Sequence, residues 1–568
     1  MKFVLSMILL AFTLVSCAVI GNHASLPLGA SPDSHNNRAH ALYLYSRARL
    51  SSIEGDFLVA QSYLNEAIKL DPSSAFLYTA IAENKVKAGQ PREALEYIIQ
   101  AIKLEPAYRE PYLMGGILML AAEKDLEAAD YFRTAIKLDP NKEDAYLHLS
   151  IVLTRQFEYA DAVSTLKDLI KLKSESALGY YYLARTYGQM RLYREAVGYY
   201  VKLLELKPEF TQASIDMAVS YEALGEYDKA IVIYKRLLEE DDSRLAIEQR
   251  LIQLLIQQRR LEEALVYLNH SVESGINVTE SMRKIGLIHL ELDQYDDAIS
   301  IFSRLLEKDP LAYPLRLYFG IAFEEKGDLE NAYSELIKIP SDSPVYIDAI
   351  GHIAFILSEQ GKKNEAIDAL KNAIAANPEH IELYLNLSTI YEAVGKTGVA
   401  LDLLLASEAR FGSDARLHFR IGVLYDALGK KQSSIKHIKK VISINPEDAQ
   451  ALNYLGYTYA EMGVNLDEAL QHLKLAVEIR PNDGFILDSL GWTYFKMKSY
   501  DKAVVNLERA SRLVVDDPTI LEHLGDAYAA RREFKKALGI YKKALELDSD
   551  RKDLAAKIRK LKEEQGER

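Results

Sequence analysis

Cysteine is almost absent from the sequence, and its scarcity excludes disulfide-stabilised folds and metal sites built from several thiolates. The 568 residues contain one cysteine, at position 17. A single cysteine rules out an internal disulfide and any metal site built from several thiolates, so Cys17 needs another explanation. Long hydrophobic runs are also missing, because after the N-terminal segment that ends near Ile20 no apolar stretch is long enough to span a bilayer.

Signatures of catalysis and of nucleotide binding are missing as well. The sequence contains no HExxH zinc motif, no GxSxG nucleophile elbow, no P-loop and no GxGxxG turn. The formal net charge is −13, which repels phosphate backbones and argues against nucleic-acid binding. We therefore predict a protein that is not an enzyme and that needs no metal, no cofactor and no small-molecule substrate.

The N-terminus has the pattern of an export signal that ends at the cysteine. Met1 and Lys2 form a short positive region, and the apolar stretch at 3–14 is too short for a stop-transfer helix. Residues 14–17, Leu-Val-Ser-Cys, resemble the lipobox of bacterial lipoproteins. The resemblance implies removal of a signal peptide at 1–16 and acylation of Cys17, which anchors such proteins in a membrane. The alternative is a plain signal peptide with a chance cysteine.

The residues after Cys17 bear on which membrane holds the anchor. In enteric bacteria an aspartate directly after the lipidated cysteine favours the inner membrane, so Ala18 indicates the outer membrane, with the protein facing the periplasm. The segment 17–38 is rich in serine, asparagine, glycine and proline and lacks periodicity. This composition is typical of a flexible tether.

A motif that recurs at a fixed spacing organises the rest of the chain. The segment AIKLDP at 67–72 recurs as AIKLEP at 101–106 and again as AIKLDP at 135–140. Twelve positions before this proline column stands an alanine in every frame from Ala60 to Ala537, except at Ser434. The residue twenty-four positions before the same proline column is small in every repeat except at Ile252. Repetition at a fixed period predicts a stack of similar supersecondary units.

These columns resemble the tetratricopeptide repeat, whose pattern W-x2-L-G-x2-Y…A-x3-F…P recurs with a period of about 34 residues. Fifteen frames between 41 and 551 follow it. The resemblance implies an all-α solenoid of helix hairpins that stack into a right-handed superhelix with a C-terminal capping helix. The best copies are Leu452/Leu455/Gly456/Tyr459/Ala469/Pro481 and Leu521/Leu524/Gly525/Tyr528/Ala537/Tyr541.

One frame departs from the pattern more than the others. Glu248 and the bulky Ile252 occupy columns that hold small or apolar residues elsewhere. The departure indicates either a joint between two halves of the array or ordinary divergence of one repeat. We predict an N-terminal array at 39–244, a degenerate repeat or joint at 245–278, a C-terminal array at 279–551, and a capping helix and tail at 552–568.

The C-terminal segment has the pattern of a single amphipathic helix. Leu554, Ile558 and Leu561 recur at helical spacing, and charged residues separate them. Terminal repeats of a solenoid need a polar cover over their outer apolar face. We therefore predict that these three side chains cover the last repeat; the alternative is a frayed tail.

Binding residues are expected on the first helix of each hairpin. In relatives the inner surface of the array is lined by residues beside the packing columns, and it binds peptides or extended protein segments. Aromatic residues supply large contact areas at low entropic cost. The alternative interpretation of Trp492 is a packing residue between repeats. The candidate partner-binding residues are Asn453, Tyr457, Asp488, Trp492, Tyr181 and Arg185.

A closer resemblance covers 452–528. An extra residue before the LDEAL segment at 466–470, the PND turn at 481–483 and the ILDSLGW run at 486–492 resemble large tetratricopeptide lipoproteins of Gram-negative bacteria. One group of these binds a periplasmic carboxyl-terminal processing protease and presents cell-wall hydrolases to it. The resemblance implies a non-catalytic adaptor that recruits clients to a periplasmic partner. The alternative is a structural subunit of an exopolysaccharide-export or outer-membrane assembly machine.

Overall fold

The protein is a succession of short antiparallel helices. The structure, a computed structural model, describes residues 32–564, and in this range it contains thirty-one α-helices and no strand. The helices are α1 (Pro32–Ile53), α2 (Phe57–Leu70), α3 (Ala75–Lys87), α4 (Pro91–Leu104), α5 (Glu110–Ala121), α6 (Asp125–Leu138), α7 (Glu143–Arg155), α8 (Tyr159–Leu172), α9 (Ala177–Gln189), α10 (Tyr193–Leu206), α11 (Thr211–Ala223), α12 (Tyr227–Glu240), α13 (Leu245–Gln257), α14 (Leu261–Glu273), α15 (Val278–Glu291), α16 (Tyr295–Lys308), α17 (Tyr313–Glu325), α18 (Leu329–Leu336), α19 (Tyr346–Glu359), α20 (Lys363–Ala376), α21 (Ile381–Ala393), α22 (Thr397–Phe411), α23 (Ala415–Ala427), α24 (Lys431–Ile444), α25 (Ala449–Met462), α26 (Leu466–Ile479), α27 (Gly484–Lys496), α28 (Tyr500–Leu513), α29 (Pro518–Ala530), α30 (Phe534–Leu547) and α31 (Lys552–Glu564).

The chain forms two compact units, one ending at Ala264 and the other beginning at Leu265. Within each unit an odd-numbered helix and the even-numbered helix after it form a hairpin, and successive hairpins pack in chain order. The predicted all-α stack of helix hairpins is therefore confirmed within both units. The boundary between the units falls inside the predicted joint at 245–278; its action as a hinge stays a prediction.

The two small-residue columns let the helices of a hairpin approach closely. Every alanine of the first column, and Ser434 in its place, is 0% exposed. The small residues of the other column face the second helix; a methyl group added to Gly525 would overlap the ring of Tyr541. Close backbone approach of this kind leaves the large side chains on either side to fill the remaining volume.

A left-handed residue closes the turn between the two helices of the hairpins, at the same fixed period as the small columns. Glycine occupies it in about half of the hairpins, for example at Gly89, with a φ of +76°. Elsewhere an ordinary residue adopts the same backbone conformation, as at Phe157 with a φ of +63°. The turn is held by two backbone bonds, such as Phe157 N–H to Thr154 O at 3.1 Å and Glu158 N–H to Leu153 O at 2.9 Å, which satisfy carbonyls that the helix end leaves free.

The N-terminal predictions lie mostly outside the described residues. This applies to the signal peptide at 1–16, to Cys17 and to the tether up to residue 31. The predicted end of the tether at 38 needs correction, because α1 begins at Pro32. Residues 36–38 are exposed, so no apolar periodicity marks this first part of the helix. Among the described helices, none combines the length and apolar character needed to cross a membrane.

The C-terminal unit contains two further departures from a plain repeat. The helix α18 stops at Leu336, because Pro340 has no N–H to donate and disfavours helical backbone before it. At the C-terminus the predicted capping helix is present as α31. Its Leu554 and Leu561 are buried against the last hairpin, and Ile558 packs beside them. Residues 565–568 of the predicted tail lie outside the described part.

Two glycines of the last hairpin test the steric role of the small column. Gly525→Ala is expected to destabilise the protein by about 1–3 kcal/mol, because the added methyl meets the buried ring of Tyr541. Gly539→Ala is the matched control on α30, where a methyl meets nothing within 4 Å; it is expected to stabilise by about 0.5–1 kcal/mol. Urea unfolding followed by circular dichroism measures both. Equal shifts of the same sign would refute the steric explanation.

Candidate functional site

The C-terminal unit brings four of the six predicted binding residues onto neighbouring first helices. Asn453 and Tyr457 lie four positions apart on α25, and Asp488 and Trp492 lie four positions apart on α27, so each pair shares one helix face. On α29, the first helix of the following hairpin, the carboxylates of Glu522 and Asp526 continue this row. We call the whole set the acidic–aromatic surface, formed by Asn453, Tyr457, Glu461, Asp488, Trp492, Glu522 and Asp526.

Trp492 is a packing residue of this surface. Its side chain is only 8% exposed, and its indole N–H donates a hydrogen bond to Glu461 of the preceding repeat. The ring stacks on His523 with 4.0 Å between centroids and on Phe495 with 4.7 Å. The packing interpretation thus accounts for its surroundings, and direct contact between Trp492 and a partner stays a prediction.

A buried acid–imidazole pair connects α27 with α29. The Nδ1 of His523 lies 2.9 Å and 3.1 Å from the two carboxylate oxygens of Asp488. Both side chains are buried. A carboxylate only accepts hydrogen bonds, so Nδ1 carries the proton and donates it. The pair holds the imidazole in place under Trp492 and fixes two successive repeats in register.

The capping helix neutralises the last two carboxylates of the surface. The Nζ of Lys557 lies 2.6 Å from Glu522 and 2.7 Å from Asp526, and Arg551 also pairs with Glu522. Burial by itself lowers the pKa of Lys557, but the hydrogen bonds to Asp526 and Glu522 outweigh it and raise the pKa. This end of the surface therefore has its own internal cations.

The other end of the surface remains electronegative. Burial, followed by the charges of Glu461, Asp488 and Glu522, raises the pKa of Tyr457 to about 12. The buried Oδ1 atom of Asn453 has no hydrogen-bond partner. Glu461 is exposed. A buried amide oxygen, a half-buried phenol ring and an exposed carboxylate thus follow one another along α25.

The two predicted residues of the N-terminal unit have different surroundings. Tyr181 of α9 is buried, and its hydroxyl donates to Asp216 of α11 at 3.1 Å. Burial, with a smaller contribution from Asp216, raises the pKa of Tyr181. Arg185 is exposed, and its guanidinium lies 5.6 Å from the centre of the Tyr181 ring. Tyr181 therefore connects two repeats, whereas Arg185 is exposed, and its contact with a partner stays a prediction.

One group of side chains in the described residues has the composition and spacing of a metal site, although the sequence predicts none. Glu408, His418 and His437 each offer a ligand atom, and these atoms lie within 4.8 Å of one another. The three residues belong to α22, α23 and α24. Sequence motifs miss such a group, because its members are widely and unevenly spaced along the chain and meet only when successive helices pack.

Sequence comparison with known families gives repeated matches to one description. Four family models, each described as tetratricopeptide repeat, match the chain, and together they cover most of the range from 41 to 552. A search of curated proteins gave no match. The matched ranges are 189–246 and 223–275 for the first model, 437–471 for the second, 79–143, 283–344, 356–415 and 489–552 for the third, and 41–74 and 415–448 for the fourth.

Several solved structures are similar to this chain at low identity. A chain of the APC/C hetero-tetramer Cut9-Hcn1 is 16% identical, with 80% of this chain and 97% of that chain covered and a TM-score of 0.37. A tetratricopeptide repeat protein from Parabacteroides merdae ATCC 43184 is 20% identical, with 44% and 98% covered and a TM-score of 0.35. YrrB, described as a TPR protein with an unusual peptide-binding site, is 18% identical, with 32% and 95% covered and a TM-score of 0.29.

The acid–imidazole pair can be tested by removing its acid. Asp488→Ala leaves the buried His523 without an acceptor and is expected to cost about 1–3 kcal/mol of stability. Since Trp492 is the only tryptophan of the chain and stacks on His523, its fluorescence reports the unfolding of this region. The control is Asp501→Ala, which removes a 91% exposed partner of Arg531. It is expected to change stability by less than about 0.5 kcal/mol, and an equal loss in both variants would argue against the pair.

Proposed function

Since the chain is a tetratricopeptide-repeat protein, we propose that it is a non-catalytic adaptor, held at the cell envelope by a lipid on Cys17, that binds an extended basic segment of another protein. Repeat arrays of this family are generally scaffolds for protein–protein interaction. The observation that carries the finer proposal is the acidic–aromatic surface, which combines the half-buried ring of Tyr457 with the exposed carboxylate of Glu461 and further acidic groups nearby.

The side chains along α25 fit an extended polypeptide in length and chemistry. From Asn453 to Glu461 the helix rises about 12 Å, which about four residues of an extended chain span. Asn453 lies at one end of this row, and its amide oxygen is buried within the array. Tyr457 offers a ring for aliphatic carbons, and Glu461 offers a carboxylate for lysine or arginine.

The position of this surface in the sequence supports the adaptor role. All of its residues fall within 452–528, the stretch that resembles adaptor lipoproteins associated with a periplasmic processing protease. The lipobox-like residues 14–17 support anchoring in a membrane, and Ala18 supports the outer membrane facing the periplasm. We therefore propose that the clients are periplasmic proteins, and that the partner which receives them is a processing protease.

The anchor has a direct chemical test. Mass spectrometry of the native protein extracted from membranes is expected to give a mature N-terminus at Cys17 carrying a diacylglyceryl thioether and an N-acyl chain. Cys17→Ala removes the acylated sulfur and should release the protein from the membrane fraction. A mature chain with an unmodified Cys17, or one that keeps residues 1–16, would exclude the lipid anchor while leaving the binding surface untouched.

The partner is best identified by photo-crosslinking in the full chain in living cells. A photoreactive phenylalanine analogue in place of Tyr457 is expected to capture a processing protease or a cell-wall hydrolase. The same analogue in place of Val505, a 64% exposed residue of α28, is the control and should not capture that protein. Capture of an exopolysaccharide-export or outer-membrane assembly component would identify the alternative function, and capture only from position 505 would exclude the acidic–aromatic surface.

A matched pair of neutral substitutions measures the contribution of charge. Glu461→Gln keeps an oxygen to accept the Trp492 N–H but removes the negative charge, and it is expected to weaken partner binding by about two- to fivefold, the usual size of an exposed ion pair. Asp501→Asn removes the same charge from α28 and should leave affinity unchanged. Equal effects of the two variants would show that only the overall charge of the protein matters.

A further inference from the structure

We infer that Glu408, His418 and His437 of the C-terminal unit form a binding site for a divalent transition metal, with zinc the ion they suit best. The site is separate from the acidic–aromatic surface and does not depend on the proposed function. Its ligands come from three successive helices, α22, α23 and α24, which belong to two neighbouring hairpins. An ion held there would connect those hairpins.

The separation of the two imidazoles matches tetrahedral coordination. The Nδ1 atoms of His418 and His437 lie 3.2 Å apart. Two nitrogens bound to one zinc ion at the usual bond length of about 2.0–2.1 Å lie about 3.3 Å from each other when the angle is tetrahedral. The two histidines are 0% and 8% exposed, so their rings are held near this spacing by the packing of the helices.

A backbone carbonyl fixes the proton of one imidazole on the side away from the site. The Nε2 of His418 lies 2.9 Å from the carbonyl oxygen of Gly412. A carbonyl oxygen only accepts hydrogen bonds, so Nε2 carries the proton and Nδ1 keeps its lone pair. Histidines that bind metals in proteins are oriented in the same way, by a hydrogen bond from the second ring nitrogen to a carbonyl or carboxylate.

Glu408 completes the ligand set with one carboxylate. Its ligand atom lies within 4.8 Å of the ligand atoms of both imidazoles. A side-chain rotation that moves the carboxylate oxygen by roughly 1.5 Å therefore brings it to the distance between two ligands of one zinc ion. The carboxylate also lies 3.2 Å from the Nζ of Lys440, an exposed contact that costs little to exchange. Two histidines and one glutamate, with a water in the fourth position, form a zinc site of open type.

The same 3.2 Å separation is compatible with one N–H···N hydrogen bond between the two histidines. In that case His437 donates from Nδ1 and the group binds no ion. The two states differ in their protons, because binding of a metal requires that neither Nδ1 carries one. Titration with metal therefore separates them.

The test uses the full chain, purified without a histidine tag and freed of metal with a chelator. Titration with Co²⁺ is expected to give the visible absorption of four-coordinate cobalt, saturating at one ion per chain, and Zn²⁺ should displace it. Zinc should also raise the thermal unfolding midpoint, since it binds the folded state. Absence of a cobalt band together with an unchanged midpoint would overturn the site in favour of the histidine hydrogen bond.

Variants locate the ion. His437→Gln is expected to weaken zinc binding by more than about 100-fold, because loss of a direct ligand exceeds the effect of losing an outer-shell partner. Glu408→Gln should weaken it by at least about tenfold and alter the cobalt spectrum. His289→Gln is the control, since this half-buried histidine contacts Gln294 outside the group. Wild-type affinity in both ligand variants would overturn the assignment, and circular dichroism verifies that each variant is folded.

Discussion

The close approach of two helix backbones within each hairpin is the contact on which the rest of the structure depends. It requires a small residue wherever the two helices meet, and the fully buried alanine column meets this requirement in almost every frame. One hairpin still exposes an apolar side, so its stability comes from the hairpins before and after it. Within this arrangement the first-helix positions Asn453 and Tyr457 lie outside the two small-residue columns and are only half-buried.

The hairpin turns show how a repeated structure tolerates an unfavourable residue. The left-handed conformation costs an ordinary residue roughly 1–2 kcal/mol relative to glycine, yet Phe157 and Arg191 adopt it. Two backbone hydrogen bonds and the packed helices on either side determine the turn more strongly than its own residue does. The same turn position can therefore hold glycine in one repeat and a large residue in another while the backbone conformation stays the same.

Sequence periodicity predicted the features that depend on one helix or one hairpin. The hairpins, the small columns, the cap and the placement of Asp488 and Trp492 on a common face all follow from spacing along the chain. The burial of Trp492 and its stacking on His523 depend on how closely neighbouring repeats pack in space. The spacing of residues along the chain does not determine that distance. The grouping of Glu408, His418 and His437 was missed for the same reason, since three helices contribute one ligand each.

The ion pairs made by the C-terminal cap distribute charge unevenly along the acidic–aromatic surface. Arg551 and Lys557 already neutralise Glu522 and Asp526, so a client lysine that approached there would compete with an internal cation of similar geometry. Near Tyr457 the exposed carboxylate of Glu461 has a weaker internal partner, because the Nζ of Lys496 lies 4.0 Å away. Because ion pairing at an exposed carboxylate is worth little by itself, the proposed function needs contact with the ring of Tyr457 in addition to charge. The cap thus covers the end of the array and, by the same ion pairs, leaves the excess negative charge of the acidic–aromatic surface on the side of α25.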